Sequence, residues 1–213
     1  MRISELSRAS GVPIPSIKYY LRSGLLPPGQ RTAPNQADYG QAHLHRLRLI
    51  RSLIQIGGLS ITAVGDLLSS LDSHRDNPRE AVKAVMNMTP SHDASAEGPY
   101  TEPARAAVHR LLTERGWDIH ADSPHVRTLT AAAEAFLRLG QNDIEELFDR
   151  YADVVEPLAA QEVAWMTRHD TPDTIGESAI IGSVIGGTAF NAMRSLAHRA
   201  AAARTPADTF EPN

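Results

Sequence analysis

The strongest constraint on how this chain folds sits near its start, where Gly11-Val12-Pro13 interrupts an otherwise helical pattern. Before the break, Ile3 to Ser10 reads as a short helix with Ile3, Leu6 and Ser7 spaced for one face. Glycine permits a tight turn there, and proline cannot continue the hydrogen-bond ladder. Pro15 then falls where a first-turn proline is tolerated, and a second helix runs to about Ser23. Two short helices joined by a glycine turn are the helix-turn-helix pattern.

From Gly24 to Gly40 the chain is rich in proline and glycine and has no helical period, which suits a small hairpin, or wing. Leu44, Leu47, Ile50 or Arg51, and Ile54 then recur at helical spacing, and Gly57-Gly58 ends that helix. Ser60 is placed to cap the next one, which carries Ile61, Val64, Leu67, Leu68 and Leu71 on one side. A short helix is expected over 78–88 and a loop over 89–103. The second half looks all-helical, with helices near 102–115, 124–140, 141–170 (bent near Pro157) and 173–203, and a frayed tail after Thr205. The expected fold is therefore mostly α, a winged helix-turn-helix followed by an all-helical C-terminal domain. The expected divisions are a head (1–71), a short helix and linker (72–103), a helical domain (104–205) and a tail (206–213).

Charge follows those divisions. The chain carries a net −4, but residues 1–71 hold +5 and residues 72–213 hold −9. A basic head on an acidic body suggests that the head alone meets a polyanion. The chain has no cysteine, which excludes disulfides, thiolate metal sites and thiol switches, and is compatible with a reducing cytoplasm. The opening Met-Arg-Ile-Ser-Glu-Leu lacks the apolar core of a signal peptide, so a cytoplasmic location is expected. The most apolar stretch, Glu177 to Arg194, is interrupted by Ser178, Ser183, Thr188 and Asn191. It falls short of the roughly 20 apolar residues a membrane span needs.

The segments ISELSRASGV, IKYYLRSGLLPP, Arg31, Tyr39 and LHRLRLIRSLIQIGGLSITAVGDLL occur in an order and spacing that resemble the MerR family of bacterial regulators. The likeness covers Ile3 to Leu71, about a third of the chain. It implies a homodimer that binds a near-palindromic promoter element in double-stranded DNA and distorts it, so that RNA polymerase initiates or fails to. Leu21 stands where the family usually has an acidic residue, and Ala37-Asp38-Tyr39 leaves the wing one aromatic. The family's dimerising coiled coil is not visible directly after the head.

On the second helix, Ser16, Lys18, Tyr19 and Arg22 are expected to point outward, with Ile17, Tyr20 and Leu21 inward. Lysine and arginine offer charge and donors to phosphates or guanine, and tyrosine adds a hydroxyl. The resemblance implies a phosphate contact for Arg31. Tyr39 either donates to phosphate or packs the wing on the third helix. Arg46, Arg48 and Arg51 lie on that helix, where any one of them reads most simply as part of a solvated face.

In the helical body, Trp117, Phe136, Phe148, Tyr151, Trp165 and His169 are candidates to contact a small hydrophobic or aromatic effector. The simpler alternative is that the aromatics fill a core. The final helix supplies a candidate dimer interface in Ile181, Gly182, Val184, Ile185, Gly186 and Thr188, the alternative being that this stripe belongs to its own subunit's core. No catalytic residue, cofactor or metal is assigned: there is no P-loop or GxSxG. His120 and His125 beside Asp118 and Asp122 read as a solvated loop, and Glu145, Glu146, Asp149 and Asp153 as a solvated acidic stripe. The expected function is a DNA-binding transcription regulator. The rivals are an architectural DNA-bending protein and a ligand-binding protein with a vestigial head.

Overall fold

A computed structural model describes residues 1–33, 36–73, 77, 98–168 and 172–205. The short helix expected over 78–88, the following loop to 97, and the tail from 206 lie outside the described residues. The chain divides into two compact units, residues 1–75 together with 179–213, and residues 76–178.

The first unit begins with α1 (Ile3–Ser10) and α2 (Ile14–Arg22). The turn between them works through Gly11, whose φ of 67° is open to glycine and strained for most other residues. Arg51 reaches across from the third helix, and its Nη1 donates to Ser10 O at 3.2 Å, closing the C-terminal end of α1. A Cβ at position 11 would lie 2.2 Å from that Nη1. The turn is also tied by Ser7 Oγ donating to Val12 O at 2.7 Å. Arg51 thus holds the turn while staying on the exposed face of the third helix.

The wing is a two-stranded antiparallel hairpin, β1 (Gln30–Ala33) and β2 (Gln36–Asp38), with Gln30 opposite Asp38, Arg31 opposite Ala37 and a register irregularity before Ala33. Helix α3 (Gln41–Gln55) follows, then α4 (Ile61–Ser73), whose first turn is capped by Ser60 Oγ accepting the Ala63 N–H at 3.1 Å. Leu6, Ile17, Leu26, Leu47, Ile50, Leu53 and Val64 are fully enclosed and form the core of this unit. Leu53 takes the inward position expected for Ile54, and Ile61 is 39% exposed, so the apolar face of α4 runs from Val64 instead. Arg46 is likewise structural: its Nε donates to Leu25 O at 3.2 Å and its Nη2 pairs with Asp72 at 2.7 Å.

The second unit is built on α5 (Thr101–Arg115), α6 (Pro124–Arg138) and α7 (Ile144–Met166). Helix α7 continues through Pro157, which has no N–H to offer the preceding turn. Ala104, Ala107, Val108 and Leu111 of α5 pack with Ala133, Ile144, Phe148 and Ala152. Small residues on α5 and α6 let those helices approach closely. The acidic stripe of α7 is not simply solvated. Arg110 of α5 meets Glu145 and Asp149 at 3.2 Å each, and Arg115 meets Asp153 at 2.7 Å and donates to Asp149 O at 3.0 Å. The hydrogen bond to Asp153 holds the Arg115 guanidinium above its ordinary range.

The C-terminal stretch, expected as one helix, is α8 (Pro172–Ile180), a six-residue π-helical segment Ile181–Gly186, and α9 (Gly187–Arg204). Residues from Ala179 onward group with the head, whereas the expected helical domain ran over 104–205. The physical reason is local packing. A Cβ at Gly57 would lie 2.4 Å from Val184 Cγ1, and Thr188 Oγ1 is within hydrogen-bond distance of Ile56 O at 3.3 Å.

Candidate nucleic-acid interface

Helix α2 presents its side chains in two sets because Ile17 (0% exposed) and Tyr20 (7%) anchor it to the core. Burial raises the Tyr20 phenol pKa, with the neighbouring Tyr19 adding to the rise, so Tyr20 stays a neutral packing group. Lys18, Tyr19 and Arg22 are exposed and Ser16 is half-buried, as a DNA-facing helix requires. Leu21 is half-buried and not fully inward.

The outward residues do not all share one surface. Lys18 and Leu21 of α2, Arg2 of the N-terminal segment, and Arg31, Gln36 and Tyr39 of the wing line a single cleft of about 610 Å³. Tyr19 lines a different hollow of about 280 Å³ with Ser23, Arg46 and Asp66. Ser16 and Arg22 line neither of these two. Two of the residues that sequence reading assigned to DNA, Lys18 and Arg31, thus converge from separate elements on one groove.

Arg2 is the residue that sequence reading missed. Its Nη1 donates to Thr32 Oγ1 at 2.9 Å and its Nε lies 3.6 Å from Asp38 Oδ1, so it bridges both wing strands. Basic character at position 2 was visible in the sequence, but nothing local placed it beside the wing. Tyr39 is 8% exposed; its N–H donates to Met1 O at 2.8 Å and its ring stands edge-on to His43 at 5.3 Å. Of the two roles open to it, packing the wing on α3 is realised, and an edge of the residue also lines the cleft. Three cationic side chains in one groove, one of them partly countered by Asp38, suit a phosphate backbone.

Residues 1–71 match the MerR HTH family regulatory protein model. Over its whole length the chain is 30% identical to SCO5550 from Streptomyces coelicolor A3(2), described as a candidate transcriptional regulator, whose crystal structure superposes with a TM-score of 0.74 and full coverage of both chains. The chain belongs to the MerR family. It is also 39% identical over 85 residues to the HTH-type transcriptional regulator HmrR of Sinorhizobium medicae, covering 40% of this chain and 56% of that protein. A ZntR homolog of Haemophilus influenzae is 31% identical over 87 residues, covering 41% of this chain and 63% of that one. The chain therefore matches just over half the length of these curated relatives. Members of this family are DNA-binding transcription regulators, and the winged head described above is the part that the family model matches.

The remaining expected sites disperse. Phe136 and Phe148 stack edge-to-face at 6.4 Å, Phe148 being 4% exposed in the core of the helical unit and Phe136 packed against that core. Tyr151 and Trp165 are 42% and 41% exposed. His169 lies outside the described residues. Trp117 lines a cavity of the helical unit. In the expected dimer stripe, Ile181, Gly182, Val184, Ile185 and Gly186 are half-buried and Thr188 is exposed. Val184 and Thr188 meet the chain's own Gly57 and Ile56. His120 and Asp122, 4.0 Å apart, are 90% and 93% exposed, as a solvated loop would have them.

Proposed function

We propose that this MerR-family protein acts as a homodimer on a near-palindromic promoter element, distorts that DNA for RNA polymerase, and is controlled by a small organic effector bound in its helical unit. The observation that carries the DNA reading is the shared groove of Lys18, Arg31 and Arg2. A recognition helix locked by Ile17 and Tyr20 holds its outward charge at fixed register to the wing, so both meet one duplex at once.

The dimer reading rests on α9. That helix has no buried residue, and Met193 and Leu196 are 61% and 64% exposed. A long helix that leaves apolar side chains in water gains by covering them, and a second copy is the occupant this reading assigns. Because Val184 and Thr188 serve their own subunit, the contact is centred C-terminal of them, on α9. The effector reading is supported by the cavity beside Trp117.

In vitro transcription from a recovered target promoter tests the proposal. Added protein should change transcript yield from that promoter and leave a promoter without the element unchanged. DNA bending with no change in transcript would favour an architectural role instead.

A further inference from the structure

Arg2 touches the two strands of the wing in different ways. Its Nη1 donates to Thr32 Oγ1 of β1 at 2.9 Å, a formed hydrogen bond. Its Nε stands 3.6 Å from Asp38 Oδ1 of β2, well beyond the roughly 2.7–2.9 Å of a charge-assisted hydrogen bond. Both side chains are 47% exposed, so water screens the pair and holds its strength down. Arg46 of the same unit is committed by contrast, with Nη2 on Asp72 at 2.7 Å and Nε on Leu25 O at 3.2 Å.

The cleft that Arg2 lines with Lys18 and Arg31 has no carboxylate in its walls among the described residues. Lys18 and Arg31 make no ion pair among those residues, so their charges are open to a polyanion. Glu5 is also near Arg2, but it accepts the Arg2 backbone N–H at 2.8 Å as part of the α1 cap. Asp38 is therefore the carboxylate that a phosphate arriving at Arg2 has to replace. Guanidinium matches phosphate through parallel hydrogen bonds, and it makes none to Asp38 here. Release of counterions from DNA adds to the phosphate's advantage.

We propose that Asp38 stands in for a DNA phosphate on Arg2. When a duplex enters the cleft, Arg2 keeps Thr32 and exchanges Asp38 for a backbone phosphate, so Asp38 sets how tightly the head holds DNA. A phosphate contact carries no base information, so this control applies to every sequence alike. The exchange rests on the DNA reading above and adds to it an opposing charge that acts through Arg2.

A double-mutant cycle on the full chain tests it, by fluorescence anisotropy of a mixed-sequence duplex of about 30 base pairs, roughly three helical turns. The four proteins are the unsubstituted chain, Asp38→Asn, Arg2→Gln and the double variant, each titrated over a range of salt and checked for fold by circular dichroism. Asp38→Asn should tighten binding about two- to fivefold, the range that loss of one exposed ion pair allows. That gain should largely vanish when Arg2 is already Gln. With Asn at position 38, Arg2→Gln should flatten the plot of log affinity against log salt by about one unit. An equal gain from Asp38→Asn in both backgrounds overturns the proposal, because Asp38 would then repel DNA without acting through Arg2. Weaker binding by Asp38→Asn also overturns it, since the pair would then be holding Arg2 in place. Absence of duplex binding by the unsubstituted chain rejects the DNA reading and the exchange with it, whereas duplex binding without coupling rejects the exchange alone.

Discussion

Lys18 sits where α2 faces the wing groove, exposed and beside Arg31 and Arg2. If it meets a phosphate, Lys18→Ala should lower affinity for all DNA and flatten the plot of log affinity against log salt by about one unit. If it reads a base edge, discrimination at one position should relax by ~1–3 kcal/mol instead. Unchanged affinity at every salt concentration contradicts both. Gly11 supports a second residue-level prediction. Its φ of 67° strains any side chain, whereas the 2.2 Å approach is that of the movable Arg51 tip, so Gly11→Ala should destabilise the head by about 1–2 kcal/mol in urea denaturation. An unshifted midpoint would show that the turn adapts freely. Lys18 and Arg31 were legible in the sequence because a motif places them. Arg2 and Arg51 were not, since each acts on residues brought near only by the fold, Arg2 on Thr32 and Arg51 on Ser10.

At the scale of elements, the helices were readable and their allegiances were not. Periodicity located α5, α6 and α7 to within a few residues, because each has a continuous apolar face. The π-helical segment at Ile181–Gly186 left no such trace, since an added residue in a turn shifts the face without removing it. Pairing between elements was also hidden. The α7 carboxylates looked solvated until α5 supplied Arg110 and Arg115. Arg115→Gln should therefore lower the urea midpoint of the protein, by an amount that shrinks as salt is raised. A salt-independent loss would point to packing of the side-chain stem in place of charge. For α9, Leu196→Asp places a charge in the exposed apolar stripe. Analytical ultracentrifugation should then show a monomer with unchanged helix content, and a persisting dimer would place the interface elsewhere.

For the whole molecule, charge follows the two structural units more closely than it follows the order of the sequence. Residues 179–204 contain Arg194, Arg199 and Arg204 and no carboxylate, and they belong with the basic head. A fragment of residues 1–71 lacks Val184 and Thr188 and so loses packing at Gly57 and Ile56. On the proposed dimer it also lacks α9, and with it the gain in effective concentration that two linked heads would have. It should bind its target far more weakly than the full chain. The direct test is a footprint of the full chain beside the Lys18→Ala variant on a recovered target fragment. The account predicts two protected half-sites separated by about one helical turn, ~34 Å, or a multiple of it, with protection lost in the variant at moderate salt. A single protected half-site, or protection that survives the substitution unchanged, would contradict it.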